Sequence, residues 1–211
     1  MASSQKDENR IGLYAAVVLN AVVLYSLVTT DRLELNEWVR ALTNWHLAIP
    51  AVIGLAFITI VNSQISTANK ERIVFWKREN PLPGSRAFTE FLVQDPRIDA
   101  AALLKRFGPF PTDPFFQNKL WYQIYSTVRD EPAISTQRRT YLFCRDYAVL
   151  AVLMMLVFGG IALTQIKSPS LIAIYFGVLV LQFILNVNAA RVTAERWVTT
   201  AMAIASTREG R

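Results

Sequence analysis

The chain is poor in the residues that most often build chemistry. Of its 211 residues one is cysteine, Cys144, and one is histidine, His46. A single cysteine excludes an intramolecular disulfide. A zinc site needs several His or Cys ligands, so one of each argues against a metal centre within one chain. A Cys–His catalytic pair is also disfavoured, because the two residues are expected on opposite sides of a membrane. No Walker-type loop, GxSxG or HExxH sequence occurs. The acids Asp95, Asp99, Asp113, Asp130 and Asp146 form no evident catalytic set, and two of them read as helix caps. The expectation is a protein that is not an enzyme, with no catalytic residues, no metal and no cofactor.

Charge is missing from four long stretches. Ile11–Val28, Leu47–Val61, Tyr147–Leu163 and Leu171–Val187 contain no Asp, Glu, Lys or Arg. Runs of this kind read as membrane spans. They fall into two pairs separated by a long charged segment. The N-terminus offers no small-x-small cleavage site after its apolar run, so that run reads as an uncleaved span. Pro50 suits the first turn of the second span, and Ser168-Pro169 suits the N-cap and N1 positions of the fourth.

Basic residues orient the spans. The chain carries 22 Lys and Arg against 16 Asp and Glu. Twelve of the basic residues lie between Ile65 and Leu142. The first loop has only Arg32 and Arg40, and the Thr164–Ser170 hairpin only Lys167. By the positive-inside bias, both termini and the centre are cytoplasmic. Trp38 and Trp45 then lie near the outer interface.

The resulting expectation is an all-α integral membrane protein. Four transmembrane helices form two hairpins, with a helical cytoplasmic domain inserted between them. The boundaries are a tail at 1–10, the first hairpin at 11–64, the cytoplasmic domain at 65–142, the second hairpin at 143–187 and a C-terminal helix or tail at 188–211.

The central segment punctuates itself with helix signals. Ser66–Asn80 reads as a continuation of the second span, ended by Pro81-Leu82-Pro83-Gly84. Ser85 can cap a short helix to about Val93. Asp95-Pro96 and Asp113-Pro114 each read as N-cap plus N1 proline, opening helices to about Phe107 and Asp130. Phe116, Leu120, Ile124 and Val128 give the second an i, i+4 stripe. Ser135 can cap a last helix that runs into the third span. Phe88, Phe91, Leu103, Leu104, Phe107, Phe110, Phe115, Phe116, Trp121, Tyr122 and Tyr125 supply a small core. Such a core often needs an oligomer for support. The tail Asn188–Thr207 reads as an amphipathic surface helix or an oligomer contact.

Two groups of residues are candidates for function. The amides Asn20, Gln182 and Asn186 lie in or beside the spans, where they can line a pore or hold helices together. Lys70 and the basic residues Arg72, Lys77, Arg78, Arg86, Arg97, Lys105, Arg106, Arg138 and Arg139 can form an anion site if they converge. Phe75, Trp76, Phe88 and Tyr122 can stack on bases beside it. The alternative is juxtamembrane charge facing anionic lipid.

The segments PLPGSRAF, DPRID, QNKLWYQIY and LFCRDYA resemble a set of bacterial multi-span membrane proteins that carry a small helical cytoplasmic domain and are linked to antiphage defence. The resemblance covers about Ile73–Ala148 and not the spans. It implies a bacterial inner-membrane protein and a defence effector, and it directs attention to Arg86, Arg97, Gln117, Asn118, Trp121, Tyr122, Arg145 and Asp146. Arg145 and Asp146 are alternatively a charge pair at the membrane edge. The expected function is a homo-oligomeric channel or membrane-disrupting effector controlled by a nucleotide or oligonucleotide. The alternatives are a membrane scaffold recruiting a soluble protein partner, and a small-solute transporter. The absence of acids and bases from the spans weighs against the last.

Overall fold

The computed structural model describes residues 2–30 and 56–208. Every regular element among the described residues is helical. In chain order these are α1 (Ala2–Thr30), α2 (residues 56–64), α3 (Thr67–Phe75), α4 (Ala100–Phe107), α5 (Pro114–Ser126), α6 (Pro132–Gln165) and α7 (Pro169–Thr207). Between α3 and α4 a 3-10 turn at Pro83–Arg86 leads into a wide π-turn at Ala87–Phe91 and one α-turn at Leu92–Gln94. Most of the expected second span lies in residues 31–55, outside the described residues, together with Arg32, Trp38, Arg40, Trp45, His46 and Pro50.

Among the described residues, three helices are long and apolar enough to cross a membrane: Asn9–Thr29 within α1, and α6 and α7. They mark the chain as a helical membrane protein. The chain divides into two compact units. One comprises Met1–Ser66 and Asp146–Asn186, the other Thr67–Arg145 and Val187–Arg211. Both α6 and α7 contribute residues to each unit.

The first unit packs the apolar part of α1 with α2 and the uncharged runs of α6 and α7. Leu13, Val17, Leu24, Ile58, Met154 and Leu179 are buried within it. Leu19, Leu156, Ile184 and Leu185 are exposed, as side chains facing lipid would be. Gly159 permits a close approach of α6 to α7, since a Cβ there would stand 2.6 Å from Phe176 Cζ. Small residues serve this purpose between membrane helices, where van der Waals packing replaces the hydrophobic drive.

The second unit is organised around the end of α7. Ala190, Ala194, Trp197, Val198, Ala201, Met202 and Ala205 are buried at helical spacing. Alanines at these positions let neighbouring segments approach the helix closely. The tail expected as a surface or oligomer helix is therefore the spine of this unit. Trp197 meets Trp121 edge-on at 4.8 Å and Tyr125 edge-on at 5.2 Å, and stacks on Tyr141 at 5.6 Å. Phe88, Phe91, Leu103, Trp121 and Tyr125 are core as expected, whereas Leu104, Phe115, Phe116 and Tyr122 are exposed.

The caps explain which boundary signals worked. Asp113 accepts from the N–H groups of Phe115 and Phe116 at 3.0 and 3.2 Å, and Pro114 opens α5 as expected. Asp95 does not cap α4. Its carboxylate is taken by Arg97, through the backbone N–H at 3.1 Å and the guanidinium at 2.6 to 3.2 Å. Asp99 is the N-cap instead, accepting from Ala102 N–H at 3.0 Å. Gly108, at φ 83°, closes the helix. The expected continuous helix from the second span to Asn80 breaks at Ile65–Ser66 and ends at Phe75. Just before the break, Ser63 Oγ bonds back to Ile60 O at 2.7 Å and competes for the backbone there. α6 begins at Pro132, one turn before the expected Ser135 cap, and Ser135 bonds back to Pro132 O within the helix. The buried face of α5 is Gln117, Trp121, Ile124 and Tyr125, so Phe116 falls off the expected stripe.

Candidate functional site

The sharpest local feature of the second unit is the end of α3. Trp76 sits one residue past the helix in the left-handed region, at φ 55°, where glycine is the usual occupant. Its N–H closes the helix on Arg72 O at 2.9 Å. A bulky residue in this conformation is an outlier that costs on the order of 1–3 kcal/mol and persists where the surroundings hold it. The indole is 69% exposed.

Arg191 of α7 holds it. The Arg191 guanidinium lies 4.2 Å from the Trp76 ring centroid, and its Nε donates to Val74 O at 2.7 Å. Arg86, at the end of the 3-10 turn, lies over Phe75 at 4.8 Å and Phe91 at 5.3 Å. These residues and Glu195 line a cleft of about 270 Å³. Arg86 makes an ion pair with Glu90 at 3.6 Å, and Lys77 reaches the same carboxylate at 3.7 Å. Arg86 Nε is nonetheless buried without an acceptor. Burial and the neighbouring charge of Arg86 both push the Arg191 pKa down. Two cations held against aromatic faces and against each other define a site that an anion would relieve.

Of the nine basic candidates, only Arg86 lines this cleft. Lys77 is joined to it through Glu90. Arg72 donates to Arg78 O at 3.0 Å and to Asn69 Oδ1 at 2.8 Å, fixing the chain just after α3. Arg97 is committed to Asp95. That guanidinium, chiefly, holds the Asp95 carboxyl far below the usual carboxylate range, with Thr199 assisting and burial opposing. Arg106 lies 3.5 Å from Ala205 O and 3.4 Å from Arg208 O, near the C-terminal carbonyls of α7. Lys105, Arg138 and Arg139 are exposed and do not line the cleft. Lys70 is buried on α3.

Arg191 and Glu195 were not among the candidates, although their i, i+4 spacing places them on one face of a helix. Separating 188–211 from the central segment hid them.

Of the remaining candidates, Gln117, Asn118 and Trp121 support the turns that carry Arg86 and Phe91. Gln117 is buried, and its Oε1 accepts from Phe88 N–H at 3.1 Å and Thr89 N–H at 3.3 Å, while its Nε2 donates to Thr112 O at 2.9 Å. It thereby satisfies the start of the π-turn that carries Phe91. Asn118 and Trp121 press on Gly84, where a Cβ would lie 2.6 Å from each. Trp121 Nε1 donates to Val198 O at 3.4 Å. Tyr122 is exposed and tilts against Tyr125 at 5.8 Å. Arg145 pairs with Glu71, and Asp146 follows it, half-buried, as the first α6 residue of the other unit.

In the first unit the span amides meet each other. Asn20 Nδ2 donates to Gln182 Oε1 and Gln182 Nε2 donates to Asn20 Oδ1, both at 3.2 Å. Tyr147 donates to the same Gln182 oxygen at 3.2 Å, and Tyr175 donates to Asn20 O at 3.2 Å. Asn186 donates back to Gln182 O at 2.8 Å. This geometry joins α1 to α7 within one chain, the role of interhelical amides in membranes.

No protein-family model, no curated protein and no solved structure matches this chain.

Proposed function

We propose that the protein is a bacterial inner-membrane effector, a homo-oligomeric channel or membrane-disrupting protein controlled through its basic cytoplasmic unit by an anionic signal, in antiphage defence. In this reading four spans form two hairpins, both termini and the basic unit face the cytoplasm, and the second span is Leu47–Val61. The defence role rests on the sequence resemblance, and the orientation rests on the positive-inside distribution of Lys and Arg.

The observation that carries the reading is the double membership of α7. The same unbroken helix supplies Gln182 to the amide network among the apolar helices and Arg191 to the cationic cleft. A ligand that draws Arg191 and Arg86 together acts on a helix that continues into the apolar run. Control requires that the ligand bind one arrangement of α7 more tightly than the other.

The test is dye release from proteoliposomes holding the purified oligomer. Release on addition of a nucleotide is expected. No release with any nucleotide or oligonucleotide, from verified oligomer, sinks the proposal.

A scaffolding reading has one observation in its favour. Phe115, Phe116 and Tyr122 of α5 are all more than half exposed. A stoichiometric soluble partner that co-purifies, with no conductance, would replace the channel reading by that one.

A further inference from the structure

We propose that the cleft between the end of α3 and α7 binds a single nucleotide, with its phosphate between Arg86 and Arg191 and its base on Trp76. The inference deepens the anion-controlled reading above and rests on it.

The chemistry comes from what the residues leave unused. Arg86 is mostly enclosed by Phe75 and Phe91, yet its Nε has no acceptor and its contact to Glu90 is a loose 3.6 Å. Burying donors without partners is unfavourable, so the site is incomplete as it stands. Arg191 uses Nε on Val74 O and has no acceptor at its two terminal nitrogens among the described residues. A phosphate offers oxygens to both guanidiniums in the planar, bidentate geometry that arginine favours.

A simple inorganic anion does not account for Trp76. Trp76 keeps a strained left-handed backbone conformation while its side chain stays exposed beside the cleft. Arg191 covers one face of the ring and leaves the ring largely open. An aromatic platform beside a cationic pair is the arrangement on which bases stack. Glu195 completes the match. A carboxylate in the cleft repels a bare anion but accepts from the N–H edge of a base. The cleft volume, about 270 Å³, is just below the usual range of ligand sites and limits the occupant to one small ligand.

The experiment is calorimetric titration of the full chain in detergent with guanosine monophosphate, inorganic phosphate and guanosine. Guanine presents adjacent N–H donors that Glu195 can accept. Guanosine monophosphate is expected to bind about tenfold or more tighter than phosphate. Trp76→Gly should weaken nucleotide binding about tenfold, weaken phosphate binding much less, and keep or raise Tm, because glycine relieves the left-handed strain. Arg86→Ala and Arg191→Gln should each weaken nucleotide and phosphate alike. If the nucleotide binds no tighter than phosphate and Trp76→Gly changes nothing, the nucleotide inference falls and the anion reading stands. If neither ligand binds in an Arg86-dependent way, both fall. Repeating the titration in phosphatidylglycerol and phosphatidylcholine nanodiscs separates the soluble source from a lipid headgroup. Nucleotide binding abolished by phosphatidylglycerol would assign the cleft to lipid and overturn the inference.

Discussion

Glu71 Oε1 and Arg145 Nη1 lie 3.1 Å apart, and both side chains are buried. Tyr141 donates its hydroxyl to the other Glu71 oxygen. Burial, reinforced by the Glu71 charge, pushes the Tyr141 pKa well above the usual phenol value, so the hydroxyl remains a donor through the neutral range. The pair fastens α3 to α6 one helical turn before the cleft residue Phe75. Losing one partner leaves a buried charge uncompensated, which costs about 3–5 kcal/mol. Glu71→Ala or Arg145→Met alone should therefore lower the unfolding midpoint sharply. Glu71→Met with Arg145→Met should cost less than either single change, because a hydrophobic pair can replace a buried ion pair. Thermal unfolding in mild detergent reads this directly. A double variant as unstable as the sum of the singles would show that the two charges act independently.

The Asp95 carboxyl is held low by Arg97, and that sets the sign of an acid dependence. A carboxylate with a depressed folded pKa stabilises fully above its unfolded value, about 4, and loses that contribution as pH falls through the folded value. The wild-type midpoint should drop with acidity below about pH 4. Asp95→Asn should be less stable at neutral pH and flatter in the acid range. Equal acid slopes for the two proteins would remove Asp95 from the account.

Gly84 is required by packing, not by backbone conformation. Its missing Cβ would meet Asn118 Oδ1 and Trp121 Cε3 at 2.6 Å. The indole is itself locked by Tyr125 and Trp197, so it cannot retreat cheaply. Gly84→Ala should destabilise the protein by about 1–3 kcal/mol. It should also weaken anion binding, because Arg86 follows two residues later. An unchanged Tm would mean that the turn can shift away from α5.

The amide pair in the apolar unit gives a smaller effect. Asn20→Leu removes two interhelical bonds and leaves Gln182 with the Tyr147 hydroxyl as a side-chain partner. Interhelical polar contacts in membranes are worth roughly 0.6–2 kcal/mol. A drop in detergent stability of that size is expected, partly recovered in Asn20→Leu with Gln182→Leu. If Asn20→Leu instead changed ion selectivity with no loss of stability, the residue would be lining a pore.

The parts legible in sequence were those set by local chemistry. Uncharged runs marked α1, α6 and α7 because membrane insertion depends on composition over a window. Asp113-Pro114 marked α5 because the cap and the proline act on adjacent residues. The same signal failed at Asp95-Pro96, where Arg97 competes for the carboxylate from two residues away. What the sequence hid was set by contacts between distant segments. Arg191 joins Trp76 from 115 positions along the chain, counted from the residue numbers. Gln117, Asn118, Trp121 and Arg145 read as functional positions, yet they hold the π-turn, Gly84, Val198 and Glu71 in place. Nothing local to QNKLWYQIY states which turn it supports.

The most direct measurement of the central claim is conductance of the purified protein in a planar bilayer, with guanosine monophosphate added to one side at a time. The wild type is predicted to conduct only when the nucleotide is on the side of the basic unit, and Arg86→Ala is predicted to stay silent from either side. Conductance that ignores the nucleotide, or that survives unchanged in Arg86→Ala, would contradict control through the cleft.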